Sequence, residues 1–235
     1  MTIKELCCII KAYNDDLIIK TSVDSERGLG VDLIKRENLH DFIRAIENGT
    51  VFEKHGEFVV QGIARQSQDT AIFNPSSLNC MRLTTLNLNG TVSVCSMGLK
   101  CGGSEAFVDN IGGGRGGIMV GIDEEGMLKE QGYYANGQSA KTHNGIKFKG
   151  KHISNFGEVL EIVRRLAERF RNVRLIGWDI ALSEKNQPLL IEANAIWPGI
   201  TLEQFTSGPL FGERTEEVID FVNNIQKSNS VYSLS

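Results

Sequence analysis

Two short apolar runs near the C-terminal end constrain this chain more than any other feature. Residues 175–182 read Leu-Ile-Gly-Trp-Asp-Ile-Ala-Leu and residues 188–194 read Pro-Leu-Leu-Ile-Glu-Ala-Asn, with a polar Ser-Glu-Lys-Asn-Gln stretch between them. Strand-length apolar runs joined by a short polar turn predict an antiparallel hairpin. Side chains alternate along a strand. Gly177, Asp179 and Ala181 therefore share one face, and Leu190, Glu192 and Asn194 share one face of the next strand. A register that sets Asp179 against Glu192 and Asn194 gathers three oxygen ligands on one patch. Both acids are embedded in core-forming sequence: Trp178 and Ile180 bracket Asp179, and Ile191 and Ala193 bracket Glu192. Carboxylates that close together in such surroundings repel and lose hydration, which is costly. A divalent cation removes that cost, and two carboxylates with one neutral amide suit Mg²⁺. The competing reading is a pair of solvated acids beside a turn, and the apolar flanks argue against it.

Gly-Trp-Asp-Ile-Ala followed by Leu-Leu-Ile-Glu-Ala-Asn resembles the metal-binding end of an ATP-grasp domain. More narrowly it resembles the sugar-transfer-associated ATP-grasp family, related to α-L-glutamate ligases. Pro198-Gly199 and Gly208-Pro209-Leu210-Phe211-Gly212 resemble that family's C-terminal pattern, and the resemblance spans about residues 14–212. It implies an α/β (α+β) fold of two lobes with mostly antiparallel sheets enclosing the nucleotide. Residues 1–60 are then a small lobe with a glycine-rich lid, and residues 61–235 a large lobe carrying the metal hairpin. It also implies ATP, with Mg²⁺ (or Mn²⁺ in its place) at Asp179, Glu192 and Asn194, and with Asp179 and Glu192 serving the nucleotide as well. Such proteins usually carry a further N-terminal α/β domain, and only nineteen residues precede Lys20. A compact variant, a truncated product and one member of a complex with a partner protein or a second copy all remain open.

Taken in order, residues 3–13 predict a short helix through Leu6, Ile9, Ile10 and Tyr13. Residues 16–20 predict a strand ending at Lys20, followed by a loop containing Gly28 and Gly30. Glycines let backbone N–H groups turn toward phosphate oxygens, but the spacing matches neither the P-loop nor the dinucleotide fingerprint. The resemblance implies that Lys20 and the Gly28/Gly30 lid meet the ATP phosphates. Residues 38–48 predict a helix with Leu39, Phe42, Ile43 and Ile46 on one side, stopped by Gly49. Residues 58–61 predict a strand. The resemblance makes Gln61, Gly62 and Ile63 the hinge that lines the adenine pocket.

Residues 76–88 contain Leu-Asn-Cys-Met-Arg, which resembles the family's Leu-Asn-Thr-x-Arg segment with Cys80 in place of Thr. Arg82 starts an alternating strand and offers phosphate or carboxylate a fixed fork. An edge salt bridge is the plainer alternative. Asn89-Gly90 predicts a tight turn into residues 91–98. Lys100 stands near where relatives carry arginine, keeping the charge without the fork. Asn110, ahead of three glycines, resembles a contact to phosphate or an activated carboxylate. Residues 117–126 predict another hairpin, and residues 131–153 read as loop, with His143 on the surface and Lys147 and His152 as acceptor contacts. Asn155 and Glu158 predict a capped helix covering the sheet. A short helix from residue 201 and a last helix over residues 215–226 follow.

With a formal net charge of −4 and no dominant basic face, nothing in the sequence suggests a nucleic-acid partner. The arginines at 164, 165, 169, 171 and 174 read as a solvated helix face. Five cysteines without metal spacing suggest a reducing compartment. No targeting segment or apolar span is present, which points to the cytoplasm. The implied reaction is ATP- and Mg²⁺-dependent joining of a small-molecule carboxylate to an amine, on amino-acid-like or sugar-linked substrates. Lys20, Arg82, Lys100 and Asn110 are its expected catalytic groups. A small-molecule kinase would use nearly the same residues, and a non-catalytic nucleotide-binding partner protein is the third reading.

Overall fold

The computed structural model describes residues 2–22, 30–103 and 116–232, with side chains to residue 225. The chain divides into two compact units, Met1–Arg65 and Gln66–Ser235. The fold class is α/β with antiparallel sheets, as the sequence led us to expect.

The first unit holds α1 (Ile3–Ala12), β1 (Leu17–Thr21), β2 (Val31–Ile34), α2 (Leu39–Glu47), α3 (Thr50–His55) and β3 (Phe58–Gly62). Its sheet runs β2-β1-β3, both pairs antiparallel. A capping box starts α1: the Glu5 N–H donates to the Thr2 hydroxyl and the Thr2 N–H to the Glu5 carboxylate. Apolar residues at helical spacing, Cys7 and Ile10 on α1 and Phe42, Ile43 and Ile46 on α2, bury Leu17 and Ile19 of β1. Alternation leaves Ile18 and Lys20 on the other face of β1. Gly49, at φ +90°, takes the left-handed position that ends α2.

The second unit contains α4 (Gln68–Ala71), β4 (Cys80–Leu88), β5 (Thr91–Cys101), β6 (Ile118–Ile122), β7 (Leu128–Tyr134) and β8 (Ser139–Ala140). After them come β9 (Thr142–His143), β10 (Ile146–Lys147), α5 (Phe156–Arg169), β11 (Leu175–Leu182), β12 (Pro188–Asn194), α6 (Thr201–Ser207) and α7 (Thr215–Tyr232). Seven strands form one antiparallel sheet in the order β12-β11-β4-β5-β6-β7-β8. Asn89 (φ +53°) and Gly90 (φ +81°) turn β4 into β5 through two left-handed residues, the geometry a two-residue hairpin favours. One sheet face is apolar. Met81, Leu83, Leu99, Val120, Trp178 and Ile180 pack beneath Val159, Leu160, Val163 and Ala167 of α5. The opposite face carries α6. Among the described residues, no helix is long and apolar enough to cross a membrane.

Three local expectations change. The start of the region read as loop is strand: β7 pairs with β6 as far as Ile118↔Tyr134, and short strands follow. Only Leu128 and Gly132 of its first five residues are buried, so its polar positions concealed the strand. Asn155 does not cap α5 with its side chain; it sits at φ +56° and donates to the Asn186 carbonyl. The last helix runs on to Tyr232.

Candidate active site

Strand register assembles the site. Antiparallel partners lie opposite one another with side chains on the same face. Glu192 pairs with Asp179, Asp179 with Arg82, Arg82 with Gly98, and Gly98 with Gly121. These five positions form a row across β12, β11, β4, β5 and β6, on the face away from α5. Lys100, two residues beyond Gly98, and Asn194, two beyond Glu192, share that face. The hairpin register is therefore the one that brings Asp179 against Glu192. Between Asp179 and Ile180 it shifts, so Leu190 pairs with Ile180 and leaves the alternation that carries Glu192 and Asn194.

Asp179 is the buried centre of the row. Arg82 Nε donates to its Oδ1 at 2.5 Å and Arg82 Nη2 to its Oδ2 at 2.9 Å, a two-pronged contact. Lys100 Nζ donates to Oδ2 at 3.1 Å. Burial pushes the Asp179 carboxyl up, but the Lys100 charge, together with the Arg82 hydrogen bonds and charge, outweighs it and holds the group below the usual carboxylate range. Arg82 is held from its other edge as well: Nη1 donates to the Pro198 carbonyl and lies 3.5 Å from Glu203 Oε1. Gly177 makes room for this, because a Cβ there would lie 3.3 Å from Arg82 Nη1 and 3.1 Å from the Pro198 oxygen.

Glu192 and Asn194 offer oxygen donors of the kind a hard divalent cation takes. Glu192 is exposed and Asn194 half-buried. Asn194 Nδ2 donates to the Gly177 carbonyl at 3.4 Å, which turns its amide oxygen into the available acceptor. A carboxylate has about four acceptor positions, and three hydrogen bonds from Arg82 and Lys100 already use three of those on Asp179. Asp179 can thus contribute one lone pair while remaining the counter-ion of two cations. No group of three His, Cys, Asp or Glu side chains suited to a metal gathers among the described residues. A cation here would rest chiefly on Glu192 and Asn194.

The other expected residues fall as follows. Lys20 lies on β1 beside Val31 and Val59. Gly30, at φ +73°, accepts the Thr21 N–H through its carbonyl and extends the β1–β2 ladder. Gln61 and Gly62 end β3, opposite Ile18 and Leu17, and Ile63 follows. Gly28 and Asn110 lie outside the described residues. Lys147 is exposed on β10, and His152 touches the Glu125 carbonyl. His143 is not a surface residue: only 4% exposed, it places Nε2 2.8 Å from the Gly102 carbonyl. An adjoining polar network holds the same stretch, with Asn74 donating to Gly102 and Gly103, and Asn79 accepting from Gly102. Asn79 belongs to the Leu-Asn-x-x-Arg segment, so its part in that motif is to anchor the chain around β4 and β5. Glu203 was not expected at the site at all. Its only sequence signal is a charge between Leu202 and Phe205 in a short helix, which does not say which face is buried.

Two antiparallel-sheet units, the larger bearing a row of acids and cations on one face, are consistent with the architecture of an ATP-grasp protein. The family model described as sugar-transfer associated ATP-grasp matches residues 1–219, and the chain belongs to that family. No curated protein matches it. Among solved structures it is similar to the D-alanine-D-alanine ligase from Coxiella burnetii, with 13% identity, a TM-score of 0.49, and coverage of 100% of this chain and 54% of that one. For the D-alanine--D-alanine ligase from Bacillus anthracis the values are 12%, 0.48, 97% and 60%. For an N5-carboxyaminoimidazole synthetase from Staphylococcus aureus complexed with ADP they are 12%, 0.48, 87% and 43%. The chain spans about half the length of the solved chains it matches.

Proposed function

We propose that the protein is an ATP- and Mg²⁺-dependent carboxylate–amine ligase acting through an acyl phosphate, on a small amino-acid-like or sugar-linked substrate. The observation that carries this reading is the convergence of Arg82 and Lys100 on Asp179, on the sheet face that also bears Glu192 and Asn194, in a chain of the ATP-grasp family. A carboxylate is a poor acyl donor because its leaving group would be oxide. Attack of its oxygen on the γ-phosphorus of ATP breaks the bond to ADP and leaves an acyl phosphate. An amine then attacks the acyl carbon, loses a proton and expels phosphate. No side-chain nucleophile is required. Negative charge spreads over the transferred oxygens in both steps, so fixed cations supply the catalysis. Lys100 and Arg82 are fixed cations of the second unit, and Asp179 keeps them from repelling each other apart. Lys20, with the Gly28/Gly30 segment, neutralises phosphate; Gln61, Gly62 and Ile63 take the adenine; Asn110 meets the transferred group. Mg²⁺ held by Glu192, Asn194 and the remaining lone pair of Asp179 would draw charge from the phosphates.

Candidate carboxylates incubated with ATP and Mg²⁺, then treated with hydroxylamine, test the reaction. A hydroxamate is expected. A stable phosphorylated alcohol as sole product, formed without any amine, would replace the ligase with a kinase.

A further inference from the structure

We propose that Glu203 is a positioning residue: from α6 it holds the outer edge of the Arg82 guanidinium and so sets the plane in which Arg82 meets the substrate. This deepens the ATP-dependent reading and rests on it.

Glu203 is a glutamate only 5% exposed, and acids are seldom that buried without a partner. Its ion pair among the described residues is with Arg82, at 3.5 Å from Nη1. A guanidinium is planar and rigid. Asp179 grips the Nε/Nη2 edge, while the Pro198 carbonyl and Glu203 grip Nη1. Holding both edges fixes the plane, which one carboxylate alone would leave free to tilt about the Asp179 contact.

The fold brings Glu203 to this place through glycines. A Cβ on Gly121 would lie 2.8 Å from the Thr206 carbonyl oxygen, which is backbone and cannot move alone. Its absence lets α6 rest on the sheet. Lys129 Nζ then donates to that same carbonyl at 2.7 Å, and the Met97 N–H donates to the Ser207 hydroxyl at 3.4 Å. These contacts fix the helix on β5, β6 and β7, and one turn earlier Glu203 faces Arg82. Gly177 clears the path from the other side, so two glycines that pack no side chain of their own set where the guanidinium lies. Glu203 also balances the centre: with Asp179 it matches the charges of Arg82 and Lys100 one for one.

The test separates positioning from mere stabilisation. Glu203→Gln keeps the shape and an acceptor oxygen but removes the charge. We expect kcat to fall by roughly tenfold or more, KM for ATP to stay within about threefold, and the melting temperature to fall less than in Asp179→Ala, because Arg82 keeps its bonds to Asp179 and the Pro198 carbonyl. Glu203→Asp, which restores the charge on a shorter arm, should recover part of kcat. The ¹⁵N signal of Arg82 Nε–H reports the plane without any turnover: its hydrogen exchange should quicken in Glu203→Gln and remain slow in an Arg165→Met control, which removes an exposed cation of α5. Gly177→Ala, which crowds Nη1, should reproduce the kcat loss. Wild-type kcat together with unchanged Nε–H exchange in Glu203→Gln overturns the proposal. Should Glu203→Gln fail to fold, wild-type kcat in both Glu203→Asp and Gly177→Ala overturns it instead. A wild-type protein that consumes no ATP refutes the ligase reading, while the exchange measurement still decides whether Glu203 holds Arg82.

Discussion

Removing the Asp179 carboxylate should be a severely damaging change in the larger unit. Three charge-assisted hydrogen bonds end on it, from Arg82 Nε at 2.5 Å, Arg82 Nη2 at 2.9 Å and Lys100 Nζ at 3.1 Å. At about 1.5–3 kcal/mol for each bond to a charged group, simple addition reaches roughly 4.5–9 kcal/mol. That sum is too large, because the bonds share one acceptor group and were formed at the expense of hydration. Breaking a buried ion pair by removing one partner costs about 3–5 kcal/mol. The Arg82 and Lys100 side chains are 13% and 14% exposed, so water relieves the stranded cations only in part. We therefore expect Asp179→Ala to lose about 3–5 kcal/mol. At about 2–4 °C per kcal/mol for a chain of this size, the melting temperature falls by roughly 6–20 °C. Much of the penalty is uncompensated charge, so adding Lys100→Met should return part of it. Thermal melts followed by circular dichroism, with denaturant titration of each variant, measure both effects. A melting temperature for Asp179→Ala within about 2 °C of wild type would show that the triad contributes no net stability.

Acid should erode the same interaction. The Asp179 carboxyl is depressed in the folded protein, so its stabilisation is present above the unfolded carboxylate's value and is lost as pH falls through the folded one. Denaturant midpoints should therefore drop below about pH 4, and this acid limb should be shallower in Asp179→Asn. Calorimetric titration should show ATP binding that requires Mg²⁺ and is abolished by Asp179→Asn combined with Glu192→Gln; saturable binding by the folded double variant would remove both residues from the nucleotide site. Lys20→Ala should cut turnover while leaving the melting temperature close to wild type, and an equally folded, fully active variant would reject its phosphate role. Gly121→Ala should cost about 1–3 kcal/mol by forcing a Cβ against the Thr206 carbonyl, and a melt matching wild type would show that α6 has room to shift.

Much of the molecule could be read from its residues. Apolar spacing identified α1, α2 and α5, the Asn89-Gly90 pair marked the β4–β5 hairpin, and the alternation around Asp179 and Glu192 placed the two acids on facing strands. These are local or nearest-neighbour properties: a helix stripe, a turn that needs two left-handed residues, a period of two. The errors have the same origin seen from outside. β7 was cut short, its residues from 131 on read as loop, because its exposed positions are polar. Asn155 was misread because a residue that can cap can also take a left-handed turn, and His143 because burial depends on what packs over a residue.

What the sequence determined by itself is which chemical groups are present and which strand face each can occupy. What only the tertiary structure decided is the partnership among them. Arg82 and Lys100 lie 97 and 79 residues from Asp179 in sequence, and Glu203 joins Arg82 from a helix whose buried side its short sequence does not reveal. No periodicity encodes a guanidinium held between two carboxylates and a proline carbonyl. That arrangement follows from a strand order that sets β11 beside β4, and from glycines at 121 and 177 whose missing side chains let a helix and an arginine approach. A missing side chain has no chemical signature in sequence. Its effect exists only where another part of the chain moves into the space.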